Sequence, residues 1–158
     1  MPGVGKTSVA RALADRWECE VLDTDDLVAR DVDQSVAQFW RTEGESAFRV
    51  RELAALEGAL AQDAVVATGG GVVTTLAARE LLAGQFTVWL DCDDAVILGR
   101  LDDVDRPLLG HDAENALALL RAERQGWYAE VSRVRIDASA TIDAVVALVV
   151  DAVEGVTP

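Results

Sequence analysis

Five residues at the head of the chain, Gly3-Val4-Gly5-Lys6-Thr7, restrict the fold more than any other stretch, because they run directly into a helix-forming segment. The alanine content and apolar spacing of 8–14 predict a helix reaching about Trp17. Backbone N–H groups of a glycine-rich loop wrap a polyphosphate only where side chains leave the approach open, which Gly3 and Gly5 do. A lysine after such a loop supplies point charge and a threonine hydroxyl can ligate Mg²⁺, the places held by Lys6 and Thr7. With Thr7 and Ser8 opening the helix, its unpaired N–H groups and positive dipole end face the same pocket. So short a stretch is also compatible with a glycine-rich tail. Counting back from Lys6 in GxxxxGK[ST] puts the first glycine one position before Met1, so the strand that anchors such a loop is expected to be missing here. Either the protein starts upstream, or it is natively shortened and impaired.

Downstream, short apolar runs alternate with helical patterns. Strands are expected at 20–23, 64–68, 87–91 and 134–137, and helices at 74–82, 95–100 and 141–153, with a long helix carrying Leu117, Leu120 and Trp127. Between the first two strands, 25–61 reads as several short helices broken near Asp33 and Gly44. Residues 102–115 are polar, contain proline and glycine, and read as a surface loop. This alternation implies an α/β chain, a doubly wound parallel sheet flanked by helices, in a single domain over 1–158.

Composition excludes several functions. A net charge of −14 argues against a nucleic-acid partner, which needs clustered Lys and Arg. No apolar stretch approaches the ~18 residues of a membrane span, so no membrane partner is expected. Cys19 and Cys92 show no metal-ligand or disulfide spacing, and a reducing cytoplasm is the expected compartment. Lys6 is the single lysine, so anionic substrates would have to be met by it and by a few arginines.

Asp23 and Asp25 lie two apart at a strand end, so in extended backbone they point the same way. They fit either a metal-and-hydroxyl pair or an acidic turn capping a helix. Gly69, Gly70 and Gly71 follow a buried strand directly, at the edge where open α/β sheets bind ligands. A planar guanidinium holds a carboxylate bidentately, at about 1.5–3 kcal/mol per charged hydrogen bond, although any one arginine is commonly a solvated surface group. Arg49 differs in having Glu52 one turn on, placed to orient it.

Taken together, the loop, Asp23-Thr24-Asp25, Gly44-Glu45-Ser46-Ala47-Phe48-Arg49-Val50-Arg51-Glu52, Gly69-Gly70-Gly71, Arg106-Pro107-Leu108-Leu109 and Arg124 four residues before Tyr128 resemble the shikimate kinase family in order and spacing, over roughly 3–137. The resemblance implies the P-loop kinase fold, with strand order 2-3-1-4-5 and strand 1 absent from this chain. It implies ATP-dependent phosphorylation of shikimate by a monomer, with Mg²⁺ as cofactor. Gly3, Val4, Gly5, Lys6, Thr7 and Ser8 would hold the ATP phosphates, Thr7 would ligate the metal and Asp23 would reach it through water. Asp25 would contact the reacting hydroxyl, Arg49 and Arg124 the carboxylate, and Gly69, Gly70 and Gly71 would admit the ring. Arg100 would stack on adenine and Arg106, in a lid at about 102–115, would reach the transferring phosphate; the substrate region would be about 25–61. Trp40 would wall the pocket, while Trp17, Trp89 and Trp127 are expected in or at the edge of the core. His111 reads as a solvated lid residue. Asp33 stands where the family has glycine, a departure Asp tolerates, and the lid is one residue short, which bears on the partner of Arg100. Two other readings stay open: a kinase for another small metabolite such as gluconate or a nucleotide, and an inactive nucleotide-binding remnant.

Overall fold

The computed structural model describes residues 1–101 and 112–155. Helix α1 (Lys6–Trp17) begins directly after Gly5, whose φ of 93° is left-handed and turns the loop into the helix axis. It buries Val9, Ala10, Leu13 and Ala14, one face of a 3.6-residue repeat. Strand β1 (Glu20–Asp23) then leads into α2 (Thr24–Asp31), where the Asp23 carboxylate accepts from the Asp25 N–H and caps the helix.

The break foreseen near Asp33 is present, with Asp33 at φ 51° filling the left-handed position. Helix α3 (Val36–Leu60) starts on a Ser35 cap and is interrupted by Gly44 at φ 81° and ψ 174°. Strand β2 (Ala64–Ala67) ends at the three glycines, followed by a 3₁₀ turn (Val72–Thr74) and α4 (Leu76–Ala83). The helix expected at 74–82 thus opens as a tighter turn before it becomes α-helical. Strand β3 (Val88–Asp91), α5 (Asp94–Arg100), α6 (Ala113–Val131), β4 (Val134–Asp137) and α7 (Ile142–Glu154) complete the order. The loop expected to run through Asn115 stops earlier, because Asp112 accepts from the Asn115 N–H and starts α6 at Ala113. Arg106, His111 and most of the expected lid lie outside the described residues.

The strands form two parallel pairs. β1 lies on β2 with Glu20 opposite Ala64, and β3 lies on β4 with Val88 opposite Val134. Among the described residues the two pairs are separate two-stranded sheets, so the continuous doubly wound sheet expected from the sequence is present as two parallel halves. Helices close over both pairs, and one core runs through Val9, Leu13, Leu56, Ile97, Leu117 and Val149. Full burial of such a side chain contributes about 1.5–3 kcal/mol. A second cluster, Val28, Phe39 and Phe48, fastens α2 to α3. Trp89 and Trp127 sit half-buried at the core edge, as expected, whereas Trp17 is 39% exposed because the sheet beneath it is open.

Candidate active site

The glycine-rich loop before α1 and the ends of β1 and β2 meet on one edge. Gly3 takes φ 70°, and a Cβ there would press on Leu101 and Ile97 at 3.1–3.2 Å, so glycine serves both geometry and space. The Lys6 ammonium donates to the Met1 carbonyl at 2.7 Å and so spans the loop. Burial lowers its pKa, with Asp25 and Asp23 working against that shift. Thr7 donates to Asp23 Oδ2 at 2.7 Å, while Asp23 Oδ1 caps α2. Ser8 is exposed in the first turn of α1. A hydroxyl and a carboxylate as hard oxygen donors, with no cluster of three metal-ligating side chains among the described residues, fit Mg²⁺. That ion commonly takes one or two protein oxygens and completes its shell with water and phosphate.

Asp25 sits in the first turn of α2, half-buried, and its pKa is raised by burial and by Asp23. Glu52, 2% exposed, has its pKa raised by burial against the opposing pull of Arg49. Arg49 donates to Glu52 Oε2 at 2.6 Å and to Glu45 Oε1 at 3.1 Å, lying over Trp40 and Phe48 at 5.2 and 5.3 Å. Glu52 Oε1 is buried without a hydrogen-bond partner, beside the glycines.

The glycine segment explains the packing. A Cβ at Gly69 would lie 2.6 Å from Glu52 Oε1 and 2.8 Å from Asp25 Oδ1, and one at Gly71 would strike the Arg49 guanidinium. Thr24, fully buried, accepts from the Gly69 N–H at 3.0 Å. Tyr128 donates to the Gly70 carbonyl at 2.5 Å, and Arg124 approaches the same oxygen at 3.5 Å. Asp25, Arg49 and Arg124 therefore converge on 69–71, with Trp40 behind Arg49. Arg100 lies apart, exposed, donating to the Ser139 and Ala140 carbonyls.

Several contributors stood inside the quoted motifs without a role assigned to them. Thr24 and Tyr128 fix the glycine backbone through packing, and Glu45 pairs with Arg49. A further group ties α6 to β3: Arg121 reaches Asp91 at 2.7 Å, Asp94 at 2.6 Å and the Cys92 carbonyl at 2.6 Å, while Arg135 holds the other Asp91 oxygen at 2.7 Å. Arg121 precedes Arg124 by one helical turn, a spacing that could have marked it.

A nucleotide phosphate held by Lys6 and the α1 N-terminus would face Asp25 across the strand ends, with cationic side chains beyond to fix the acceptor. That division of labour defines a small α/β phosphotransferase of the P-loop class. Comparison with known proteins narrows it. The family model described as shikimate kinase matches residues 2–154. A shikimate kinase from Symbiobacterium thermophilum is 41% identical over 140 residues, covering 85% of this chain and 80% of that one. The solved shikimate kinase from Acinetobacter baumannii in complex with shikimate superposes with a TM-score of 0.92 at 31% identity, over 98% of this chain and 89% of that one. The enzyme from Aquifex aeolicus gives 0.84 at 26% identity, over 97% and 92%. The chain belongs to the shikimate kinase family, and is thus a kinase with ATP as co-substrate.

Proposed function

We propose that Asp25, Arg49 and Arg124 seat shikimate against 69–71 and that the Lys6 loop presents ATP to it, giving shikimate 3-phosphate. The observation that carries this reading is the crowding of Asp25, Glu52 and Arg49 around two glycines that have no room for a Cβ. Bare backbone there leaves a shallow floor on which a ring can lie within reach of both arginines. The arginines meet the ring carboxylate as charge-assisted donors. Glu52 orients Arg49 from beneath, and its unpaired Oε1 is an acceptor for a substrate hydroxyl or a water.

Phosphoryl transfer asks a protein mainly for alignment and charge neutralisation. Asp25 aligns the acceptor hydroxyl and takes its proton as the new bond forms; its raised pKa suits a group that must accept one. Lys6 leaves the Met1 carbonyl for the β/γ-phosphates, and Arg106 adds charge at the transferring group. Thr7, and Asp23 through water, would hold Mg²⁺, which when bound neutralises phosphate charge. Arg100 borders the adenine site. The protein acts as a monomer, as the family resemblance implies, and the two free thiols suit a reducing cytoplasm.

The test is kinetic. Asp25→Asn should abolish turnover with ATP binding retained, and undiminished turnover would remove Asp25 from the reaction. Arg49→Ala and Arg124→Ala should raise KM for shikimate far more than for ATP. Equal effects on both substrates, or better turnover with gluconate or a nucleoside monophosphate, would overturn the acceptor assignment.

A further inference from the structure

Arg79, in the first turn of α4, has no part in the proposed reaction, and its surroundings are not those that stability alone favours for a cation. Its side chain is 14% exposed. One guanidinium nitrogen donates to the Val73 carbonyl at 2.6 Å, and the group lies over the Trp127 ring at 5.0 Å. Nε is buried without a hydrogen-bond partner, and the Glu130 carboxylate, on an exposed side chain, stands 3.7 Å away, beyond hydrogen-bond reach. A buried donor left unpaired costs free energy, an exposed counter-ion returns little, and a cation beside the start of a helix opposes its dipole. An unbranched apolar side chain would cover Trp127 without those costs.

What the guanidinium does instead is join two elements that carry substrate residues. Val73 belongs to the 3₁₀ turn that continues Gly69-Gly70-Gly71, and Trp127 belongs to α6. The Val72 N–H closes the turn on the Gly69 carbonyl at 3.2 Å, and the Thr74 N–H and hydroxyl both reach the Gly71 carbonyl, at 3.0 and 2.8 Å. Arg79 anchors the turn at Val73. From the other side Tyr128, next to Trp127, donates to the Gly70 carbonyl, and Arg124, one helical turn earlier, approaches the same oxygen at 3.5 Å. The glycine floor is thus held between Tyr128 and Arg79, and both holds lead back to one turn of α6.

We infer that Arg79 is a positioning residue for the acceptor: it clasps the turn after the glycines to α6 and so sets the distance between the floor at 69–71 and the Arg124 guanidinium. This role rests on the reading that Arg124 and 69–71 seat shikimate. A planar cation suits it, because one edge donates to a carbonyl while the face rests on an indole. Loosening the clasp leaves Arg124 and the floor each intact but out of register, which loses the hydrogen bond from Arg124 to the substrate carboxylate. Lys6 and Asp25 stand on α1 and α2, so nucleotide binding and proton transfer are spared.

The test compares Arg79→Met, which keeps length and apolar cover, with Arg79→Lys, which keeps a donor and a charge. Arg79→Met should raise KM for shikimate about 10-fold, the equivalent of one charge-assisted hydrogen bond, with KM for ATP unchanged and kcat within about threefold of the parent. Its unfolding midpoint should move by no more than about 4 °C, while amide exchange at Val72 and Thr74 quickens and exchange in α1 and α7 holds. Arg79→Lys should restore slow exchange at those two amides and return KM to within about threefold of the parent. In a double-mutant cycle, Arg79→Met combined with Arg124→Ala should match Arg124→Ala alone in KM for shikimate, since a cation that is gone cannot be misplaced.

An unchanged KM for shikimate in Arg79→Met would overturn the inference, as would equal rises for shikimate and ATP. Multiplying effects in the double variant, a lysine variant no better than the methionine one, or unchanged exchange at Val72 and Thr74 would do the same. Should Arg124→Ala itself leave KM for shikimate unaltered, the acceptor reading fails instead, and exchange at Val72 and Thr74 still decides whether Arg79 clasps the turn.

Discussion

Gly71 lies so close beneath Arg49 that its missing side chain has a functional meaning separable from stability. Its φ of −93° suits any residue, so Gly71→Ala strains no backbone; the added methyl instead displaces the guanidinium from Glu52 and Glu45. Losing one charge-assisted hydrogen bond to a substrate carboxylate should raise KM for shikimate about 10–100-fold. KM for ATP should hold, with the thermal midpoint shifted by no more than a few degrees. Asp25 gives the converse case. Its pKa is raised on folding, so the folded state holds the proton more tightly than the unfolded one. Stability therefore falls as pH rises from the ordinary value of 3.8 through the folded value, and stays reduced above it. Asp25→Asn removes that cost: the inactive variant should melt higher than the parent at pH 7, by about 2–4 °C per kcal/mol recovered, with the gap closing toward pH 4. An equal or lower midpoint at pH 7 would show that Lys6 and Arg49 already offset the burial. At this scale the sequence displayed Asp25, Arg49, Arg124 and the glycines, because their chemistry is conspicuous. Thr24 and Tyr128 were quoted in motifs but their roles were not legible, because a hydroxyl acquires its role only from the backbone group that packing brings to it.

Elements were legible where the apolar period was strong and terminators were sharp. The strands ended at acids or glycines, and the break between α2 and α3 fell on Asp33. Less legible was what holds the elements in register. Asp91 is 2% exposed, and both its oxygens are occupied, one by Arg121 of α6 and one by Arg135 of β4. The Asp94 and Asp91 carboxylates, accepting from the guanidinium, raise the Arg121 pKa above its ordinary value, so it stays charged across the working range. Removing one partner of a buried ion pair strands the other. Arg121→Ala should therefore cost about 3 kcal/mol in urea unfolding, reduced somewhat because the guanidinium is part-exposed and Arg135 remains. Arg121→Lys should recover only part, since an ammonium cannot contact Asp91, Asp94 and the Cys92 carbonyl in one plane. Because Arg124 rides on the same helix, KM for shikimate should rise in the alanine variant while the ATP term changes less. A loss below about 0.5 kcal/mol, the size typical of neutral surface changes, would place the cluster among ordinary surface pairs.

On the scale of the whole molecule, the alternation of strands and helices announced a parallel α/β arrangement. What no local pattern could state is how the elements settle: two parallel strand pairs, a groove lined by both, and Met1 packed against Tyr128. Charge is the other global property, with 28 acidic residues against 14 basic ones. Many of the arginines are already committed, Arg49, Arg121 and Arg135 to buried or part-buried acids, so the surplus negative charge is a surface property. Like charges dispersed over a small domain repel one another and weaken the compact state. Raising NaCl from about 20 mM to about 300 mM shortens the screening length from roughly 20 Å to under 10 Å, which quiets this repulsion while leaving the buried Asp91 cluster nearly unaffected. The unfolding midpoint should therefore rise by several degrees over that range, equally in NaCl and KCl, and most of the rise should occur below about 150 mM, where the screening length falls fastest. Were exposed pairs such as Arg51 with Asp31 the main electrostatic term, screening would weaken them and the midpoint would fall. The sign of the salt response thus decides between a fold held against its own net charge and one held by its surface ion pairs.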